Sequence, residues 1–237
     1  MNVKALLFDK DGTILDFDAT FTTATHKVLE QLADGDVEKF EAAATTVGYD
    51  TRRKLILSDS VIIAGSGHDI AKNLSKSLNI SDLDAFTIQL DELYGAACLE
   101  TVTLLPNAAN SLKSLAAAGF VLGVATNDSK ANAVAQMQAA NVDALFKRIL
   151  GADSGFGAKP GPGMVQAFIE HSGFMPHEVA MIGDSLHDLE AGRAAGCVTI
   201  GVETGPASRE DLLPHADIVL PSITHLEDEL AGKDMSQ

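Results

Sequence analysis

The chain has 237 residues, 46% apolar, 21% charged and 5% aromatic, which excludes global disorder and indicates one large domain or a core with a smaller companion. Seventeen Lys and Arg against 33 Asp and Glu give a net charge of −16, which argues against a nucleic acid or an anionic membrane surface as partner: a polyanion needs a basic footprint, and the longest cationic run is Arg52-Arg53-Lys54. The only apolar stretch before Asp9 is Ala5 to Phe8, too short for the apolar region of a signal peptide, and no run reaches the roughly 18 apolar residues of a membrane span, so a cytoplasmic protein is expected. Cys98 and Cys197 lie far apart without a C-x-x-C, so they read as buried small residues rather than as a disulfide or zinc ligands.

Lys4 to Phe8 is an apolar run that stops at Asp9-Lys10-Asp11-Gly12-Thr13, the pattern of a buried strand whose carboxyl end meets a turn. From about Asp18 to Cys98 the period becomes helical: Val28, Leu29 and Leu32; Ile70, Leu74 and Leu78; then Leu83, Phe86, Leu90, Leu93 and Ala97. Such stripes are packing faces, and they predict an all-helical insertion over residues 17–99. Within it Gly65-Ser66-Gly67-His68 links two helices, and Arg52, Arg53 and Lys54 are expected on a solvated helix face.

After Pro106 helix and strand alternate. The sequence predicts a helix at Asn107 to Ala118, a strand at Val121 to Ala125, a helix at Lys130 to Ala140 and a short strand at Arg148 to Leu150. A helix at Met164 to His171, a strand at Val179 to Ile182 and a helix at Leu186 to Ala195 follow, then strands at Thr199 to Val202 and Ile218 to Leu220. Alternation of helices with continuous apolar strands predicts an α/β fold. Its core is a Rossmann-like, doubly wound parallel sheet over residues 1–16 and 100–237, interrupted by the helical insertion. The polar tail Gly232 to Gln237 is expected to fray.

In an open parallel sheet, ligands sit beyond the carboxyl ends of the strands. The residues there are Asp9 and Asp11 after the first strand, Thr126 and Asn127 after the second, then Lys159, then Asp184, Ser185 and Asp188. Four carboxylates gathered at one place repel one another, so a cation belongs among them, and oxygen-only ligands beside a phosphate point to Mg²⁺. Taken singly each residue fits a turn or a helix cap; placed at successive strand ends they point to one site.

Asp9-Lys10-Asp11-Gly12-Thr13-Ile14-Leu15, Thr126-Asn127, Lys159-Pro160 and Gly183-Asp184-Ser185-Leu186-His187-Asp188 together resemble the ordered motifs of the haloacid dehalogenase superfamily. The helical insertion is similar to the cap of the subfamily that contains phosphoglycolate phosphatases, sugar phosphate phosphatases and β-phosphoglucomutase. The resemblance implies a Mg²⁺-dependent phosphomonoester hydrolase acting on a small phosphorylated metabolite, with phosphoglycolate leading. It makes Asp9 the nucleophile, Asp11 the acid and then the base, and Lys159 a catalytic cation that also binds the phosphate. Thr126 and Asn127 would bind the phosphoryl group, and Asp9, Asp184 and the backbone carbonyl of Asp11 would hold the metal. Asp188 would act on the metal through water or by orienting its ligands, and Thr13 is structural. His187 is expected to be a flanking surface residue.

In the cap, Gly65-Ser66-Gly67-His68 resembles a Gly-x-Gly segment that faces the active site in related phosphatases, and Arg52, Arg53 and Lys54 could meet a second anionic group of the substrate. Asp11 stands where the ion-pumping ATPases carry Thr, and the dehalogenases and phosphonatases also depart from Asp-x-Asp, so those branches are disfavoured. The enzyme alternative is a sugar phosphate mutase. From another class come a signalling receiver, whose phosphoacceptor would follow a later strand, and a catalytically silent phosphate-binding protein. Whether the protein is a monomer or a homodimer is open.

Overall fold

The structure, a computed structural model, describes residues 2–57 and 59–231; the tail Gly232 to Gln237 lies outside the described residues. The chain divides into two compact units, one formed by the described residues of Met1–Asp16 and Leu104–Gln237, the other by those of Phe17–Thr103.

The first unit is built on six parallel strands, β1 (Ala5–Phe8), β4 (Val121–Ala125), β5 (Phe146–Leu150), β6 (Val179–Gly183), β7 (Val198–Val202) and β8 (Ile218–Leu220), in the order β5-β4-β1-β6-β7-β8. Between them lie α6 (Ala108–Ala117), α7 (Lys130–Ala139), α8 (Gly163–Ser172), α9 (Leu186–Ala194) and α10 (Arg209–Leu212), and α11 (Leu226–Ala231) follows the last strand. Leu6 pairs with Leu122 on one side and Ala180 on the other, so β1 is interior. Its four residues are fully buried because both faces of the sheet are covered, and this is why the strand reads as an unbroken apolar run.

Alternate residues Ala5 and Leu7 join Ala125, Val165, Phe168 and Met181 in one cluster. A side chain at Gly123 would lie 2.4 Å from the Phe168 ring, so this glycine opens the seat on β4 that the ring of α8 fills. The chain builds outward from β1 to β4 and β5 and then returns to β6 on the other flank. The strand order therefore reverses at β1, and a crevice opens at the carboxyl end of the sheet there.

The second unit has its own core. Helices α1 (Thr23–Ala33), α2 (Val37–Val47), α3 (Val61–Ala64), α4 (Gly67–Ser77) and α5 (Leu83–Leu99) bury Val28, Leu29, Leu74, Phe86 and Leu90 in a single cluster, the stripes visible in the sequence. One segment departs from the expected all-helical pattern: β2 (Tyr49–Asp50) and β3 (Leu55–Ile56) form an antiparallel hairpin. Gly48 ends α2 with a left-handed φ of 72°, and Tyr49 and Ile56 turn into the core. Strands of two residues carry no period that a sequence can reveal. As a result Arg52, Arg53 and Lys54 sit in the hairpin turn and not on a helix face, with Asp50 Oδ1 accepting from the backbone N–H of Arg52 and of Arg53 at 3.0 and 2.8 Å. Ser66 caps α4 through a reciprocal bond pair with Asp69. Among the described residues, no helix is long and apolar enough to cross a membrane.

Candidate active site

Asp9 extends β1 by one ladder bond, its N–H donating to the carbonyl of Ile182 at 2.8 Å, which sets its side chain at the carboxyl edge of the sheet. The chain then turns sharply: the Lys10 carbonyl accepts from the N–H of Ile14 and of Leu15, both at 2.9 Å. Gly12 sits in this turn at φ 76°, and a Cβ there would meet Asp184 Oδ2 at 2.5 Å, so both its conformation and its surroundings require glycine.

Asp184 directly follows β6, and Asp188 lies in the first turn of α9, where its Oδ2 accepts from the Ser185 hydroxyl at 2.6 Å and the Ser185 N–H at 3.1 Å. Lys159, from the loop after β5, reaches between β1 and α9. Its Nζ donates to Asp9 Oδ1 at 2.6 Å and to Asp188 Oδ1 at 2.5 Å. The Thr13 hydroxyl donates to Asp184 Oδ1 at 2.9 Å. One oxygen each from Asp9, Asp184 and Asp188 lies within 4.8 Å of the others, and all three residues are buried.

Three buried carboxylates against one ammonium leave an excess of negative charge. Burial is the main cause that lifts the Asp9 carboxyl to about 7, with Asp188 and Asp11 adding to it against the pull of Lys159. Burial likewise holds Asp184 well above the usual carboxylate range, reinforced by Asp9 and Asp188. Burial opposes the charge on Lys159, but Asp188 and Asp9 together outweigh it and hold the ammonium above its ordinary value. An oxygen-only set short of positive charge fits a hard divalent cation.

The remaining sequence-expected residues lie beside this cluster. Thr126 follows β4, its hydroxyl buried and accepting from the N–H of Asp128 at 3.1 Å ahead of α7. Asn127 joins two loops: its Nδ2 donates to the Lys159 carbonyl at 3.0 Å, and its Oδ1 accepts from the Lys159 N–H at 2.8 Å. The Asp11 side chain turns to Lys10, whose Nζ is 2.9 Å from Oδ1 and 2.7 Å from Oδ2. Burial raises the Asp11 carboxyl above its ordinary value, Lys10 opposes this, and Asp128 adds to it. His187, expected at the surface, is half-buried with its Nδ1 shielded from solvent and without a hydrogen-bond partner.

Sequence reasoning missed two features. The loop after β7 crosses Asp184: the Thr204 hydroxyl donates to the Gly12 carbonyl at 2.6 Å, and a Cβ on Gly205 would lie 1.7 Å from Asp184 Oδ2. The strand-end rule, applied also to Thr199 to Val202, would have reached it. Lys10 is the other. Nothing in its local sequence distinguishes a fully buried ammonium from a turn lysine in water.

A family model described as haloacid dehalogenase-like hydrolase matches residues 3–196. The phosphoglycolate phosphatase of Haemophilus influenzae (strain ATCC 51907) is 28% identical over 202 residues, covering 85% of this chain and 86% of its own. Among solved structures, a predicted phosphoglycolate phosphatase from Haemophilus somnus 129pt aligns with a TM-score of 0.72 at 20% identity, over 97% of this chain and 99% of that one. A candidate β-phosphoglucomutase from Thermotoga maritima aligns with a TM-score of 0.69 at 20% identity, with the same coverage. At these identities the solved structures establish the fold.

Proposed function

From the premise that this chain belongs to the haloacid dehalogenase-like hydrolases, we propose that it is a Mg²⁺-dependent phosphomonoester hydrolase that works through an aspartyl-phosphate and acts on a small phosphorylated metabolite, phosphoglycolate first. The observation that carries this reading is the buried group of Asp9, Lys159, Asp188 and Asp184 at the switch point of the sheet, with a second carboxylate, Asp11, one turn residue away from Asp9.

In the first half-reaction a carboxylate oxygen of Asp9 attacks phosphorus, and the bond from phosphorus to the ester oxygen breaks. Asp11 passes its proton to the departing alkoxide, so the alcohol leaves neutral. In the second, Asp11, now a carboxylate, takes a proton from water as the water oxygen attacks phosphorus. The bond between Asp9 and phosphorus breaks, and phosphate and free Asp9 are returned. Lys159 pulls Asp9 towards its ionised form by charge and can donate to the phosphoryl oxygens, the Thr126 hydroxyl can do the same, and the N-terminal end of α7 favours an anion beside them. Asp9, Asp184, Asp188 and the backbone carbonyl of Asp11 would hold Mg²⁺, which when bound supplies positive charge for the phosphoryl oxygens. A small substrate accords with the net charge of −16, which gives a large polyanion no long-range attraction.

The test is phosphate release from a panel of small phosphomonoesters, including phosphoglycolate and several hexose phosphates, with Mg²⁺ or a chelator, for the unaltered protein and for Asp9→Asn. The expected outcome is metal-dependent release that falls to background in the variant, with phosphoglycolate ranked first. Turnover that survives Asp9→Asn removes the nucleophile assignment, and isomerisation of a hexose phosphate without release assigns the protein to the mutases.

A further inference from the structure

Lys10 is one of the largest fully buried side chains of the protein. A turn lysine ordinarily leaves its ammonium in water, because burying an unsatisfied cation costs several kcal/mol. Here the ammonium is saturated. Besides the two oxygens of Asp11, Nζ lies 3.1 Å from Asp128 Oδ2 and donates to Gln136 Oε1. These two partners are themselves immobilised. Asp128 Oδ1 accepts from the Ser129 N–H at 2.7 Å and from Asn132 Nδ2 at 3.1 Å, its own N–H goes to Thr126, and Gln136 is 1% exposed on α7. Asp128 ahead of α7 and Gln136 within it therefore grip the ammonium, and the ammonium grips both oxygens of Asp11.

We propose that Lys10 is the positioning residue of the acid–base step: anchored by Asp128 and Gln136, it fixes the plane of the Asp11 carboxyl and directs the proton that Asp11 carries to the side away from the ammonium. An ammonium has three donors and no acceptor, so a carboxyl proton cannot point towards it. Two contacts to one carboxyl also remove its rotation about the Cβ–Cγ bond, so the proton stays aimed in one direction. This rests on the reading of Asp11 as acid and then base. In the first step that proton moves to the ester oxygen while the bond from that oxygen to phosphorus breaks; in the second the same carboxyl oxygen takes a proton from the attacking water.

A group that aims a proton matters in proportion to how much the leaving group needs one. With the Mg²⁺-saturated protein, kcat/KM is measured on benzyl phosphate, whose alkoxide leaves only when protonated, and on 4-nitrophenyl phosphate, whose phenolate leaves unaided. The proteins compared are the unaltered chain, Asp11→Asn, Lys10→Met and Gln136→Met. Lys10→Met is expected to lower kcat/KM on benzyl phosphate by about ten- to a hundredfold and on 4-nitrophenyl phosphate by less than about threefold. Gln136→Met is expected to give a smaller skew in the same direction, and Asp11→Asn the largest. Equal losses on both substrates in Lys10→Met, beside a skew in Asp11→Asn, overturn the proposal and leave Lys10 as a buried counter-charge. Equal losses in Asp11→Asn show that the acid assignment itself fails, and the proposal with it. If Lys10→Met does not fold, Gln136→Met decides by the same ratio, which is independent of the folded fraction because both substrates are read on one preparation.

Discussion

Asp9 and Asp184 hold their protons far above the range of an exposed carboxyl, Asp9 up to about 7 from 3.8, because burial and neighbouring carboxylates disfavour a second and third negative charge. The consequence for stability has a definite sign. Between roughly pH 4 and 7 the folded chain binds protons here that the unfolded chain has lost, so the stability that these two carboxyls contribute to the metal-free fold is fully present below that window and is lost as pH rises through it. A cation must displace those protons, which makes its binding weaker at low pH. In chelator, Tm should therefore fall from pH 5 to pH 8, less steeply in Asp9→Asn, and Mg²⁺ should raise Tm more at pH 8 than at pH 5. A metal-free Tm slope that is the same in Asp9→Asn contradicts the assignment of the strain to this carboxyl.

Each element brings its chemistry through the backbone at its end. β1 delivers Asp9, β4 delivers Thr126, β6 delivers Asp184, and α9 presents Asp188 from its first turn. The loop after β7 has a quieter part, lying so close over Asp184 that only a residue without a side chain fits at Gly205. Gly205→Ala should displace the Asp184 carboxyl and weaken Mg²⁺ binding by about ten- to a hundredfold, measured by calorimetry, with a lower Tm. An unchanged affinity in a folded Gly205→Ala protein would show that this loop does not position Asp184.

At the scale of the molecule, the two units have separate apolar clusters: Val28, Leu29, Leu74, Phe86 and Leu90 all belong to residues 17–103, while Leu7, Val165, Phe168 and Met181 belong to the other unit. Damage to one core should stay in it. Leu74→Ala deletes a fully buried side chain and should cost about 2 to 5 kcal/mol. Hydrogen exchange should quicken at amides of residues 17–103, while Mg²⁺ affinity, measured where the variant is folded, stays within about twofold. A loss of metal affinity equal to that of Gly205→Ala would refute this separation.

The parallel sheet and the residues at its carboxyl edge were legible in the sequence because both follow from short-range patterns. Strands buried on two faces must be continuously apolar, and polar residues that break such runs must lie at their ends. On that ground Asp9, Thr126, Asp184 and Asp188 gather at one edge of the sheet from sequence pattern alone. The four-residue strand β1 and the stripes of α4 and α5 spoke equally plainly. The hairpin of Tyr49 to Ile56 was hidden, since two-residue strands have no period. The burial of Lys10, the grip of Asp128 and Gln136 on it, and the passage of Gly205 over Asp184 were decided only by tertiary structure. Each joins residues separated in the chain: 21 positions lie between Asp184 and Gly205, 118 between Lys10 and Asp128, and 126 between Lys10 and Gln136. Local sequence determines which face of a strand or helix is apolar; whether an ammonium at a strand's end meets water or the oxygens of three side chains depends on which helix packs beside it.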